Sequence, residues 1–220
     1  MKQKLLLVFL AALLMPALCR AKAPAVSIDV RQAFEGLGID VVELLDQDTR
    51  AIMLQLYDQD SIASMPNSVG GVARLTKVTP DFLEVELTDV SSLQLKVLKT
   101  SSGGSVLMTL YTIGAAGDTR ETEVRFFDAN LKELDRNKIL PTPPLSAFFS
   151  FPKGTKTKMK EIEALIPFET IAFSANPDNS DLKATLTVEK ALNIEDARIV
   201  ELFMVPDVTF SWNGKKFQKL

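Results

Sequence analysis

The stretch that decides the fold is FLEVELTDVSSLQLKV, residues 82–97. Apolar and polar residues alternate in it, and the apolar ones fall at every second position: Leu83, Val85 and Leu87, then Leu93, Leu95 and Val97. A period of two is typical of a strand that buries one face. Because the polar connection around Asp89 is too short for a parallel crossover, we predict that the two strands pair antiparallel.

The same pattern continues toward the C-terminus. Residues 106–113 are apolar at both parities, which predicts a central strand covered on both faces. Residues 121–128 alternate again, with Val124 and Phe126 on the apolar side. Together these segments predict one antiparallel meander of about five strands.

Two short helices are predicted in front of the sheet. The first begins at Asp40, a capping residue with Glu43 three positions later, and continues to Leu45. The second begins at Asp48 and keeps helical spacing of its apolar residues as far as Tyr57. We expect this tandem pair to cover one face of the central strand.

Residues 135–160 lose both periods. Proline has no amide hydrogen to donate to a central ladder, and four prolines fall here: Pro141, Pro143, Pro144 and Pro152. Elements resume after this connection, with strands predicted around 171–173 and 182–188 and a helix at 194–203. A hairpin closes the chain at Asn213-Gly214, a dipeptide favoured where a two-residue turn needs positive φ.

The predicted fold class is therefore α+β: mainly an antiparallel β-sheet meander, with a short N-terminal helix pair and a smaller C-terminal β-rich part that carries one helix. The predicted division of the chain is a signal peptide at 1–21, a lead-in at 22–38, the helix pair and sheet at 39–134, a Pro-rich connection at 135–160, and a C-terminal subdomain at 161–220.

The first residues have the order of a secretory signal peptide. Lys2 and Lys4 precede an apolar run at 5–14, and small residues surround Ala21 and Ala23, the two candidate cleavage positions. The run is shorter than the roughly 20 apolar residues that span a bilayer, so the mature chain is predicted to have no transmembrane segment and to be periplasmic or secreted. An alternative makes Cys19 a lipid-anchored first residue.

Composition excludes several kinds of site. The chain contains no histidine, which removes Ser-His-acid and Cys-His nucleophiles and the commonest zinc ligand. Its single cysteine lies in or beside the leader, so the mature chain cannot form an internal disulfide. The formal net charge of −3 becomes more negative when the leader is removed, which argues against nucleic acid as a partner. We predict no cofactor and no metal.

Two kinds of acidic cluster have structural interpretations. Glu84 with Glu86, and Glu121 with Glu123, alternate with apolar residues and are expected to be solvated, with Lys96 as a cross-strand partner of the first pair. The oxygen-rich runs at 58–61 and 178–181 lack the third ligand, central glycine and late glutamate of a calcium loop, so they are interpreted as turns. No catalytic residue is predicted.

Several segments together resemble a family of unknown function whose members are exported proteins of Bacteroidetes bacteria. They are the helix pair, Asn67–Gly71, Val78–Leu83, Ser91–Leu98, Val124–Asp128 and Trp212–Phe217. The resemblance covers most of residues 35–220. It implies a cell-envelope setting and no known enzyme activity, and it assigns no functional residue.

Aromatic and basic residues concentrate around the Pro-rich connection. The candidate partner-binding residues are Phe148, Phe149, Phe151, Lys156, Lys158 and Lys160. Either the phenylalanines form an exposed anchor, or they pack under the sheet and join two subdomains. The leading functional hypothesis is a non-enzymatic binding domain for another envelope protein or a glycan, acting through a sheet face or this segment. The alternative is a periplasmic hydrolase that uses carboxylates or a lysine.

Overall fold

The computed structural model describes residues 27–152 and 158–220. The predicted signal peptide at 1–21, Cys19 and the candidate Lys156 lie outside the described residues. Within the described ranges, no helix combines the length and the apolar character that crossing a membrane requires.

The larger sheet is a seven-stranded antiparallel meander in which each strand pairs with its neighbours along the chain. Its strands are β1 (Ser64–Pro66), β2 (Val72–Val78), β3 (Phe82–Thr88), β4 (Ser91–Lys99), β5 (Ser105–Ile113), β6 (Glu121–Phe127) and β7 (Glu133–Leu134). The predicted α+β class and meander are confirmed. The count of about five strands was too low, because β1 and β7 are too short to show a period.

Two helices precede the sheet, but the first is not where the sequence placed it. Helix α1 spans Val30–Gly36 and is capped by Asp29, and α2 spans Gln47–Asp58. The segment predicted as a helix from Asp40 to Leu45 is a turn, in which Leu44 has a φ of 70° that no right-handed helix permits. The prediction was wrong because a turn buries Leu45 as completely as a helix does.

Arg50 of α2 fixes the end of α1. Its guanidinium is buried and donates to the carbonyl oxygens of Phe34 and Leu37, the latter at 2.9 Å. These carbonyls belong to the last turn of α1 and the residue after it, where a helix lacks intrahelical donors and carries partial negative charge. Arg50 therefore joins the two helices into one layer.

A second, four-stranded sheet has the order β11-β10-β9-β8. Its strands are β8 (Ile171–Ala175), β9 (Asp181–Leu186), β10 (Val208–Trp212) and β11 (Phe217–Lys219). The connection from β9 to β10 contains the predicted helix at Ile194–Glu201. All of its pairings are antiparallel.

The closing hairpin is present, but its turn is longer than predicted. Trp212 pairs with Phe217, so four residues lie between them. The side-chain oxygen of Asn213 accepts from the backbone N–H groups of Lys215 and Lys216, at 3.0 and 2.9 Å. Asn213 thus closes the loop with its side chain, and positive φ is needed only at Gly214.

The Pro-rich connection is not a bare linker. It contains a short helix at Arg136–Ile139 and a 3-10 turn at Leu145–Phe148, and a further helix follows at Lys158–Leu165. Ile139 and Leu140 belong to the apolar core that residues of both sheets share. Residues before, within and after the connection thus contribute to one core. The predicted subdomain boundaries remain a prediction.

The layers are helices, first sheet and second sheet. One face of the first sheet packs on α1 and α2 around Phe34 and Met53. The opposite face packs on the second sheet around Phe126 and Phe210. The prediction that residues 106–113 form a strand covered on both sides is confirmed, since β5 lies between these two cores.

Side chains of the first sheet accept hydrogen bonds from the backbone N–H groups at the outer edge of β8. The N–H of Phe173 donates to Thr122 Oγ1 at 2.9 Å, and the N–H of Ala175 donates to Gln94 Oε1 at 3.0 Å. Because Thr122 lies on β6 and Gln94 on β4, β8 runs across the strands of the first sheet. It does not cover the strip of that face where β2 and β4 begin and where β3 and β5 end.

Candidate functional site

The phenylalanines singled out in the sequence are mostly core residues. Phe148 is fully buried and Phe149 is 8% exposed, and both lie in the core between the sheets. An exposed anchor made of these two rings is therefore not a feature of this fold. The burial agrees with the other interpretation, in which they pack under a sheet.

Phe151 and Lys158 meet through a residue that the sequence did not indicate. The ring of Phe151 stacks on Phe149 at 6.1 Å and lies 5.2 Å from the ring of Phe203. The ammonium of Lys158 lies 5.0 Å from the centre of the Phe203 ring. Lys160 is exposed on the same helix as Lys158. Among the described members of the predicted group, Phe151 and Lys158 thus come together through Phe203.

The sequence predicted that Lys96 pairs with Glu84 or Glu86, but in the structure it pairs with neither. The register places it opposite Phe82, and its side chain is 1% exposed. Its ammonium bonds Asp81 at 2.9 Å and the carbonyl of Pro177 at 3.0 Å. Lys96 therefore links the first sheet to the β8–β9 turn.

The acidic clusters have structural partners or lie in solvent. Glu84 accepts from Gln94 Nε2 at 2.6 Å, and Asp58 forms a two-bond pair with Arg31. Glu121 and Glu123 are exposed. Within residues 27–152 and 158–220, no three acidic or other ligating side chains are arranged to hold a metal ion.

The uncovered strip of the first sheet forms a cavity of about 450 Å³, which we call the polar groove. A row of polar side chains from four adjacent strands forms its floor: Arg74 of β2, Glu86 of β3, Ser92 of β4 and Thr112 of β5. The next rows on the same face combine apolar residues, such as Leu110 and Val124, with polar residues whose side chains have partners, such as Gln94 and Lys96. The row in the polar groove differs because it lies beyond the second sheet.

Three hairpin turns surround this end of the sheet, and we call them the hairpin tips: residues 67–71, 88–91 and 114–120. The buried side chain of Asn67 donates to the carbonyl of Leu87 at 2.8 Å and accepts from the N–H of Gly71 at 2.8 Å. The N–H of Gly114 donates to the carbonyl of Val90 at 2.8 Å. These cross-links hold the three tips together without a ligand.

Exposed apolar side chains decorate the hairpin tips. Val72 and Val90 line the polar groove and are 60% and 51% exposed, and Val69 and Ile113 are also exposed close by. Branched apolar side chains gathered on a rigid end, beside a polar cavity, are typical of a surface that meets a partner. The sequence signals for it were the turn residues Asn67 and Gly114, but their proximity depends on the sheet pairing.

A second cavity of about 620 Å³ lies beyond Gly114, beside β5 and β6. Tyr111 lines it together with Glu43, Glu121 and Glu123. Partial burial, and then the negative charge of Glu43, raise the pKa of Tyr111 above its usual 10.0. The phenol therefore stays neutral to a higher pH in the folded chain than in the unfolded one.

This raised pKa predicts a pH dependence. The stability that Tyr111 contributes is present below about pH 10 and is lost as the pH rises through its folded-state pKa. Glu43→Gln removes one cause and is expected to lower the titration midpoint, measured by tyrosinate absorbance. The chain has two tyrosines, so a Tyr57→Phe background isolates Tyr111. Glu161→Gln, remote on the helix at Lys158–Leu165, serves as the control; an unchanged or higher midpoint in Glu43→Gln would contradict the assigned contact.

Comparison with known proteins adds a fold and a family. A domain of an uncharacterised protein from Porphyromonas gingivalis W83 has a similar structure, with a TM-score of 0.74 and 17% identity over 89% of this chain and 99% of that one. At this identity the similarity concerns the fold alone. No protein with a curated description matches the chain. The family model described as "Protein of unknown function (DUF3256)" matches residues 25–217, so the chain belongs to that family.

Proposed function

We propose that the chain is an exported, non-enzymatic binding protein that docks a partner protein of the cell envelope on its hairpin tips. The observation that carries the proposal is the combination of the polar groove with exposed Val72 and Val90 at its rim. Exposed apolar side chains supply contact area, and the floor of the groove supplies hydrogen-bonding groups. The tips are already fixed by internal hydrogen bonds, so docking costs little ordering entropy.

The lining of the groove favours a protein over a glycan. Its side chains are valines, hydroxyl residues and charged residues, without an aromatic ring among them. Sugar sites commonly use the face of an aromatic ring against the apolar side of the sugar, and this groove offers none. Valine side chains instead complement the apolar side chains of a polypeptide.

Three carboxylates outside the groove have structural hydrogen bonds that do not suit acid catalysis. Hydrogen bonds to Arg31 and Arg125 lower the pKa of Asp58 and Glu133, and a hydrogen bond to Thr185 lowers that of Asp207. A general acid needs the opposite shift, so that it holds a proton near neutral pH. These carboxylates serve the fold and stay charged.

Export is supported by the order of charges, apolar run and small residues at the N-terminus. It is tested by fractionating cells of the source organism and measuring the intact mass of the native chain. A mature chain that begins at Lys22 or Pro24 in the periplasm or medium is expected. A cytoplasmic chain that keeps residues 1–21 would refute export, and a lipidated Cys19 would replace the soluble form by a tethered one.

Docking is tested by placing a photocrosslinking amino acid at Val72 or Val90 in the native envelope. A polypeptide adduct is expected from both positions, with a yield several-fold lower when Val90 carries the crosslinker and Val72 is replaced by lysine. Leu202, an exposed apolar residue just after the helix at Ile194–Glu201, is the matched control position. Equal adducts from Leu202, or an adduct destroyed by glycosidase but not by protease, would contradict protein docking at the tips.

A further inference from the structure

We propose that Arg74 and Arg120 make the polar groove a receptor for carboxylates, so that its occupant is an extended polypeptide segment rich in aspartate or glutamate. This inference rests on the proposed function and specifies the chemistry of the partner. Its basis is the unused hydrogen-bonding capacity of the two guanidinium groups.

Three arginines outside the groove, Arg31, Arg50 and Arg125, have several of their donors engaged by the fold. Arg125 bonds both oxygens of Glu133, at 3.1 and 2.7 Å, and also bonds Asp40. Arg50 bonds three backbone carbonyls, and Arg31 bonds both oxygens of Asp58. Each guanidinium has five N–H donors in a planar fork that suits a carboxylate. These residues show how the fold satisfies an arginine that it uses structurally.

The two groove arginines are different. Arg74 makes one long hydrogen bond to Ser64 Oγ, at 3.4 Å, and lies 3.9 Å from a carboxylate oxygen of Glu86. Nε of Arg120 is buried and has no hydrogen-bond partner among residues 27–152 and 158–220. A buried donor without a partner is destabilising and uncommon, so the fold does not use Arg120 as it uses Arg31, Arg50 and Arg125.

Arg120 is held in place by its surroundings. Its backbone N–H donates to Thr187 Oγ1 at 2.9 Å, and its carbonyl accepts from the same hydroxyl. Its side chain passes so close to Gly114 that a Cβ there would lie 2.8 Å from Arg120 Cγ. Because both the backbone and the first part of the side chain are fixed, the guanidinium is positioned at the groove before a ligand arrives.

The rest of the groove selects the kind of anion. Glu86 and Asp89 also line it, and their negative charges repel the two charges concentrated on one phosphate more than single carboxylates spaced along a chain. Ser92 and Thr112 offer hydroxyls to a peptide backbone, and Val72 can contact apolar side chains of the same segment. A polypeptide in which carboxylates alternate with apolar residues matches all of these groups.

The test uses the purified full chain and a fluorescein-labelled octapeptide of alternating valine and glutamate, followed by fluorescence anisotropy. Arg74→Gln and Arg120→Gln are each expected to weaken binding about tenfold, because each removes charge-assisted hydrogen bonds. Arg198→Gln, at an exposed arginine of the helix at Ile194–Glu201, is expected to bind like the wild type. The octapeptide with glutamine in place of glutamate should bind at least tenfold more weakly, and added salt should weaken the acidic peptide.

Circular dichroism and thermal unfolding of each variant separate lost folding from lost binding. Arg120→Lys keeps the positive charge but removes the planar set of guanidinium N–H donors. The proposal is overturned if folded Arg74→Gln and Arg120→Gln bind the acidic peptide like the wild type, or if Arg198→Gln weakens it equally. It is also overturned if inorganic phosphate displaces the labelled octapeptide as effectively as the unlabelled octapeptide does. Binding of a second copy of the chain through Arg120, without binding of the octapeptide, would overturn it as well. Crosslinking from Val72 that persists unchanged in both arginine variants leaves the docking function intact and removes only the carboxylate inference.

Discussion

Replacement of Phe148 by alanine is expected to lower the free energy of unfolding by about 3–5 kcal/mol. The ring is fully buried and lies in the core that the two sheets share. Its backbone carbonyl also accepts from the N–H of Val205 at 2.9 Å, so the surrounding chain cannot easily collapse into the space left by the ring. The loss therefore includes a cavity contribution besides the transfer of apolar surface.

Chemical denaturation with far-ultraviolet circular dichroism measures this effect in the wild type and the variant. Phe168→Ala is the matched control, because Phe168 is exposed and its removal is expected to cost less than about 0.5 kcal/mol. A loss below 1 kcal/mol for Phe148→Ala would show that the ring is not part of the core. Loss of a partner in a Phe148 variant is accordingly expected to report unfolding rather than a missing contact.

The sequence predicted the parts of the fold that repeat with a regular period. The strands around Leu83, Leu95 and Val124 were found because alternation is visible over seven residues or more. Helix α1 was missed because it is only seven residues long, although Asp29 caps it and Val30, Ala33 and Phe34 have helical spacing. The turn at Leu44 imitates a helix at the level of apolar spacing. The need for burial explains why these positions are apolar, whereas their backbone conformation depends on what they pack against.

The candidate site was less predictable for a physical reason. Arg74, Glu86, Ser92 and Thr112 form one row only because antiparallel registers align four strands, and a one-residue shift would move each side chain to the other face. The sequence drew attention to Phe148 and Phe149 instead, since they are adjacent and aromatic. Adjacent aromatic residues mark a core as readily as a binding surface, and only burial distinguishes the two.

Lys96 illustrates the same limit for charged residues. Alternation placed it on the polar side of β4, and it does lie on the face that includes Glu84 and Glu86. That face is solvated near Glu86 but covered near Phe82, and Lys96 lies at the covered end. Whether a charge in a strand is exposed thus depends on how far a second layer extends, which a local pattern does not encode.

Replacement of Gly114 by alanine is expected to cost about 2–5 kcal/mol of stability, the second large effect. The residue has a φ of +115°, where a residue with a Cβ is strained by about 1–3 kcal/mol. The added Cβ also collides with the carbonyl oxygen of Thr119 and comes within 2.8 Å of Arg120 Cγ. Relief requires movement of the hairpin tip at 114–120.

Gly117 in the same hairpin supplies a matched control. Its φ is +86°, but nothing lies within 4 Å of the position that a Cβ would take. Gly117→Ala therefore carries only the conformational strain, about 1–2 kcal/mol. Denaturation curves of the two variants are expected to differ by at least 1 kcal/mol, with Gly114→Ala the less stable; equal losses would mean that the contacts with Thr119 and Arg120 do not constrain the tip.

The two glycine variants also test whether peptide binding requires Arg120 to be correctly positioned or only to be present. Gly114→Ala retains the guanidinium but displaces the side chain that carries it, so binding of the acidic octapeptide should fall together with stability, below the unfolding temperature of the variant. Gly117→Ala is expected to keep wild-type peptide affinity despite its own loss of stability. Because Gly114 also holds Val90 through its N–H, the same substitution should reduce crosslinking from Val90. A folded Gly114→Ala chain with unchanged affinity and crosslinking would show that the groove works without a fixed tip.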